Sequence, residues 1–268
     1  ARGQHMSFQV LTGGGGLAGW SLLNRTATRQ RDLVAADGAV VTATNNFRAK
    51  IGSVASADDL LSDYRLLNVA LRAFGLEGDI GNRGFIRKVL ESDLSDKGSL
   101  ANRLSNKSYQ RLAEAFAFNG SGPPQTQKAG FADKIAAQYV DREFEARVGE
   151  GDQNLRLALN ARRELASLAD RSSTNDTKWF EVLGSKPLRT VFAGAFGFGA
   201  AYGKLPIDRQ LEEFTKGARK MFGSDDMQQF SSPDKVEKLV RNFLARSAIQ
   251  VDSATNRCST ALSLLSGA

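Results

Sequence analysis

Large apolar residues recur along this chain at spacings of three and four, the spacing that brings side chains to one face of an α-helix. The clearest run is Leu60, Tyr64, Leu67, Leu71 and Phe74. Ser56 ahead of it is a good N-cap, and Asp59 suits a capping box. Gly75 stands where a left-handed residue would stop the helix, so one helix over 57–74 is expected. Similar patterns predict helices over about 17–36, 129–148 and 153–169, and shorter ones capped by Asn82 and Asn106. Pro187, Pro206 and Pro233 each precede an apolar-periodic run and are expected at first helical positions. The β-branched clusters Ala39-Val-Val-Thr42 and Ile249-Gln-Val251 are too short to build a sheet. The expected fold class is all-α, a multi-helix bundle-like fold.

The 268 residues fit one large domain or two smaller ones, and 16 Phe supply bulky material for a core. Residues 1–5, ending at His5 ahead of Met6, read as a cloning scar. Residues 6–16 end in Gly13-Gly-Gly-Gly16 and are expected to form a flexible N-terminal arm. The first helical half is placed at 17–118. In the stretch Asn119-Gly-Ser-Gly-Pro-Pro124, Gly and Pro cluster and apolar residues vanish, which makes 119–128 a linker or long loop. The second helical half then spans 129–252, followed by a Ser-rich tail at 253–268.

Two segments echo one another. Leu66, Val69, Ala73, Phe74 and Gly75 align without gaps on Leu188, Val191, Ala195, Phe196 and Gly197, and at the same offset Arg87 falls on Arg209. The shared unit is a helix with Leu, Val and Phe on one face that stops at Gly. An internal duplication of a helical module is expected, with Phe74 and Phe196 buried at equivalent places and both glycines at positive φ. Leu66, Val69, Phe74 and Gly75, with Leu188, Val191, Phe196 and Gly197, form the expected structural core of the repeat.

Catalytic machinery is hard to find. His5 is the only histidine and lies in the scar, and Cys258 is the only cysteine. Ser-His-Asp and Cys-His sites, disulfides and ordinary zinc sites are thereby removed. Gly13-Gly-Gly-Gly-Leu-Ala-Gly19 superficially resembles a phosphate loop but lacks the Lys-Ser/Thr ending and a preceding strand. Asp58-Asp59 suit a helix first turn, Glu212-Glu213 a solvated face, and Asp225-Asp226 a turn or helix start. Arg162-Arg163 with Arg156 could bind an anion, though a solvated helix face explains them more simply. No catalytic residue, cofactor or metal is expected, and no apolar run is long enough for a membrane-spanning helix or a secretory signal.

The chain from Met6 onward resembles an uncharacterised bacterial family, a domain of unknown function whose members occur in flagellar gene clusters. Four groups of segments carry the resemblance. They are Gly16-Leu-Ala-Gly-Trp20 with Arg29-Gln30; Asp63 to Leu76 with Phe85-Ile-Arg-Lys-Val-Leu90; Leu100-Ala-Asn-Arg-Leu104; and Pro187 to Phe192 with Ala195-Phe-Gly197 and Asp208-Arg-Gln-Leu211. The resemblance implies a helical fold and a flagellar association, and it supplies no catalytic or binding residues.

The expected function is a non-enzymatic interaction protein of the bacterial flagellar system: a component, assembly factor or regulator. Its expected partners are other flagellar proteins, and its location is the cytoplasm or beyond it by export through the flagellar apparatus. A helical nucleic-acid-binding regulator is the alternative, on a pI of about 9.6 and Arg-rich stretches such as Arg156 to Arg163. A small enzyme with a carboxylate site assembled by the fold is the second alternative.

Overall fold

The computed structural model describes residues 8–120 and 123–266, apart from the side chains of residue 200 and of residues 250–266. Among the described residues the chain is helical and has no strand, as its periodicity predicts. In chain order the helices are α1 (Gly16–Ala35), α2 (Gly38–Lys50), α3 (Ala57–Ser62), α4 (Tyr64–Ala73), α5 (Arg83–Leu90), α6 (Leu100–Arg103) and α7 (Ser108–Phe116). They continue as α8 (Phe131–Gly151), α9 (Gln153–Ala169), α10 (Asn175–Gly184), α11 (Lys186–Phe196), α12 (Ile207–Phe222) and α13 (Pro233–Ser266).

The chain divides into two compact units. One comprises Ala1–Leu11 and Arg25–Arg147, the other Thr12–Asn24 and Val148–Ala268. The division therefore does not fall at 119–128. The described end of that stretch is anchored within the first unit: Gln125–Gln127 forms a 3-10 turn packed on the Ile51–Ser53 turn, and the buried Thr126 hydroxyl donates to the Val54 carbonyl at 2.6 Å. The Gly- and Pro-rich composition marks a loop, but the Thr126 hydroxyl and the packed 3-10 turn hold its described end against its own unit.

The expected helix at 57–74 is two helices. Asp63 breaks it by taking an extended conformation (φ −99°, ψ 103°) and accepting from the Arg65 and Leu66 amides, which caps α4. Ser56 and Asp59 complete the expected capping box on α3. Because the break changes the register, Tyr64 is 57% exposed, while Leu60, Leu67 and Leu71 are buried. The β-branched stretch at 39–42 belongs to α2, where Val40, Thr44 and Phe47 bury one face. Asp37 caps this helix. Of the three prolines, Pro233 opens its helix, Pro187 is the second residue of α11, and Pro206 occupies the N-cap of α12.

The described part of the expected flexible arm is held in place. In the first unit the Phe8 amide donates to Asp37, Gln30 exchanges two hydrogen bonds with the Leu11 backbone, and Val10 is 4% exposed. In the second unit Gly13 to Gly16 all have positive φ, and the Gly16 amide donates to Asp152 at 2.9 Å. Four glycines in a row supply a left-handed path that other residues would resist. In this segment their freedom builds a tight turn instead of a loose arm. The backbone of the expected Ser-rich tail continues α13 to Ser266, and the expected cloning scar lies outside the described residues.

Candidate functional site

The sequence echo marks two helix stops with the same backbone. At the end of α4 the Leu76 amide donates to the Leu71 carbonyl at 2.8 Å and the Gly75 amide to that of Arg72 at 2.9 Å. At the end of α11 the Phe198 amide donates to Ala193 at 2.9 Å and the Gly197 amide to Gly194 at 3.1 Å. Gly75 has φ 71° and Gly197 φ 77°, both in the left-handed region. Each stop is covered by an arginine of its own unit. A Cβ on Gly75 would lie 3.3 Å from the Arg142 guanidinium carbon, and one on Gly197 would overlap the Arg246 guanidinium. A cation is favoured there because the last carbonyls of a helix carry partial negative charge. Glycine thus meets two demands at each site, a left-handed turn and room for a guanidinium.

Leu66, Val69, Leu188 and Val191 are buried as expected. The two phenylalanines differ. Phe74 is 8% exposed, but Phe196 is only half-buried. The Phe196 ring lies against α12 at Gly217, where an added Cβ would come within 2.6 Å of it, and Phe196 lines a cleft. The two arginines at the same offset have different partners. Arg87 on α5 pairs with Asp58, whereas Arg209 on α12 pairs with Glu212 three residues on.

Each stop borders an open cleft in its own unit. The cleft in the first unit, about 560 Å³, has Phe74, Ala115, Phe131 and Ile135 as its apolar floor. Arg111, Glu114, Lys128 and Lys134 are among its polar lining residues. The cleft in the second unit, about 330 Å³, has Ala195, Phe196, Phe198 and Met221 as its floor, with Glu213, Lys216, Lys220 and Arg246 around it. Each therefore sets three cations and one glutamate around an apolar floor containing the echoed phenylalanine. A buried aromatic cluster supports the smaller cleft. Phe198 stacks on Tyr202 at 4.7 Å between centroids, and Phe196 meets Phe214 edge-on at 5.9 Å. The Tyr202 hydroxyl donates to the Gln210 carbonyl at 2.8 Å, and burial pushes its pKa above the ordinary phenol value.

The other candidates have structural positions. Asp152 accepts from the Asn154 and Leu155 amides with one oxygen and from the Gly16 amide with the other. The anion position at the start of α1 is thus filled by the chain's own carboxylate. Asp59 belongs to a capping box, Asp225 pairs with Arg219, and Asp226 caps a 3-10 turn. Arg162 is tied down within the second unit. Its guanidinium lies 4.1 Å above the Trp20 ring and donates to Asn24 at 2.6 Å and to Glu237 at 3.4 Å. The Trp20 indole donates to both Glu237 oxygens at 3.0 Å. No spacing in the sequence could reveal this cluster, because its members come from three distant helices. Among the described residues no group of three or more His, Cys, Asp or Glu could hold a metal ion. No described helix is long and apolar enough to cross a membrane.

Residues 73–236, a span that includes both stops, match the model of a family described as "Protein of unknown function (DUF1217)". The chain belongs to this family. The DUF1217 chain is also similar to a solved structure, the X-ray crystal structure of protein AGR_C_984 from Agrobacterium tumefaciens, a structural genomics target. The two share 28% identity with a TM-score of 0.75, over 91% of this chain and 98% of that one. No curated protein matches the chain.

Proposed function

We propose that this DUF1217 protein is a non-enzymatic interaction protein of the bacterial flagellar system, a component, assembly factor or regulator. The observation that carries the interaction role is the pair of open clefts at the helix stops, each with an apolar floor, three cations and one carboxylate. An apolar floor with a polar rim is the anatomy of a protein-recognition surface. The flagellar setting is supported by the sequence resemblance, whose segments include the residues that build both stops. Its partners on this proposal are other flagellar proteins, met in the cytoplasm or after export through the flagellar apparatus.

Deleting the gene in a flagellated bacterium that encodes it tests the proposal. Electron microscopy of hook, rod and filament, with a motility assay, is expected to show a defect that the wild-type gene restores. Normal flagella and normal swimming in the deletion strain would overturn the flagellar setting.

A further inference from the structure

We infer that the cleft of the second unit docks a short acidic segment of a partner protein through one aromatic or aliphatic anchor side chain. This rests on the interaction role proposed above and names the chemistry of the partner.

The wall formed by α12 carries the inference. Glu213, Lys216, Gly217, Lys220 and Met221 fall at i, i+3, i+4, i+7 and i+8, one continuous face of the helix. On a helix packed into a core such a face would be apolar throughout. The neighbouring face of α12 meets that description, since Phe214, Ala218 and Phe222 are buried. The cleft face instead alternates charge with a glycine and a methionine. Lys216 and Lys220 are exposed, and neither is paired with an acidic side chain among the described residues. They stand one turn apart beside an apolar floor, so they offer two cations to the flanks of whatever side chain enters.

Gly217 gives the cleft its depth. Any side chain there would push into the Phe196 ring, so glycine lets the partly exposed ring approach α12 closely. About 330 Å³ is at the lower end of ligand-pocket sizes, which suits one or two large side chains. The charged face extends about 12 Å along the helix axis, the length of two helical turns or about four extended residues. Apolar depth thus supplies an anchor point, and the lysines supply attraction for carboxylates on either side of the anchor. Glu213 is the one acid among the lining residues and sits at the end of the α12 face, where it would set the direction of an acidic segment.

The test uses the full chain with methyl-labelled methionine and a peptide of sequence Asp-Glu-Asp-Phe-Leu-Asp-Glu. The control peptide has Ser-Ser in place of Phe-Leu. Met221 lines the cleft while Met227 is fully buried, so of the three methionine methyl signals that of Met221 reports on docking and that of Met227 on the fold. The acidic anchored peptide is expected to shift Met221 and leave Met227 in place. Its affinity is expected to fall roughly tenfold in the Lys216→Glu/Lys220→Glu double variant, a change at exposed positions that leaves the fold intact. The control peptide is expected to bind at least tenfold more weakly than the anchored one. Three results would overturn the inference: no shift at Met221, equal binding of both peptides, or binding of duplex DNA through Lys216 and Lys220 in place of the peptide. The flagellar reading is judged separately. If the deletion strain is defective and the double variant restores it fully, the flagellar role stands and this cleft is not its docking site.

Discussion

At the end of α4 the chain turns through Gly75 with the Phe74 ring almost wholly enclosed, at 8% exposed. At the end of α11 it turns through Gly197 with the same hydrogen bonds, but Phe196 is less fully buried and lines a cleft. The backbone of a stop is a local matter, set by a glycine, the carbonyls of the last turn and a covering guanidinium. Whether the neighbouring ring is core or surface is set by what packs later in the chain. In the first unit Phe131 and Ile135 of α8 help form the floor beside Phe74. In the second, Gly217 and two lysines of α12 leave Phe196 uncovered on one side. Internal duplication predicts that the helix after each stop also corresponds. Arg87 and Arg209, at the same offset, have different ion-pair partners.

The largest expected effect separates the two rings. Phe74→Ala should cost about 3–5 kcal/mol, because it removes a buried ring and leaves a cavity. Phe196→Ala should cost about 1–2 kcal/mol, since a half-buried ring loses less transfer energy and opens no closed void. Urea unfolding of both variants checks this. Equal losses would mean that Phe196 is core after all.

The glycines come next. Gly197→Ala should destabilise by about 2–3 kcal/mol, combining the strain of a left-handed alanine with displacement of Arg246. Gly75→Ala should cost about 1–2 kcal/mol, because Arg142 lies further from the would-be Cβ and has room to give. Adding Arg246→Ala to Gly197→Ala should recover part of the loss. A strictly additive double variant would show that the guanidinium contact contributes nothing.

A further contrast lies in acid. Asp37 accepts from the Phe8 and Ala39 amides and pairs with Arg147 at 3.1 Å, with its side chain only 7% exposed. The Arg147 hydrogen bond, helped by the two amides against the cost of burial, holds its pKa down at about 2. A depressed carboxylate contributes stability above its unfolded pKa, and that contribution disappears as pH falls towards 2. The first unit should therefore lose about 2 kcal/mol between pH 5 and pH 2 through this group. Asp37→Asn should be destabilised at pH 7 and show a flatter acid limb in pH-dependent unfolding. An unchanged slope would show that Asp37 is not linked to folding.

Much of the fold was legible because it rests on local rules. Helical periodicity, the Ser56 capping box and the Gly75 and Gly197 stops depend on residues within one or two turns of each other. The break at Asp63 was missed because an intact apolar spacing runs across it, and only the side chain's choice to cap α4 divides the helix. In the described part of the arm at 6–16, composition misleads for a different reason. Glycine-rich sequence permits looseness, but Asp37, Gln30 and Asp152, distant in sequence, hold it. The clefts were half legible. Phe74 and Phe196 stood out through the echo, but Lys216, Gly217 and Lys220 gained meaning only once α12 was placed beside α11. Their own spacing reads as an ordinary solvated helix face.

The most direct test is complementation of the deletion strain with Phe196→Ala, alongside a thermal melt of the purified variant. A partly exposed ring kept for recognition predicts a soluble protein with a modestly lowered Tm that fails to restore flagellar assembly and swimming. Full restoration by Phe196→Ala, in a strain where the deletion itself is defective, would contradict the claim that this cleft is where the protein works.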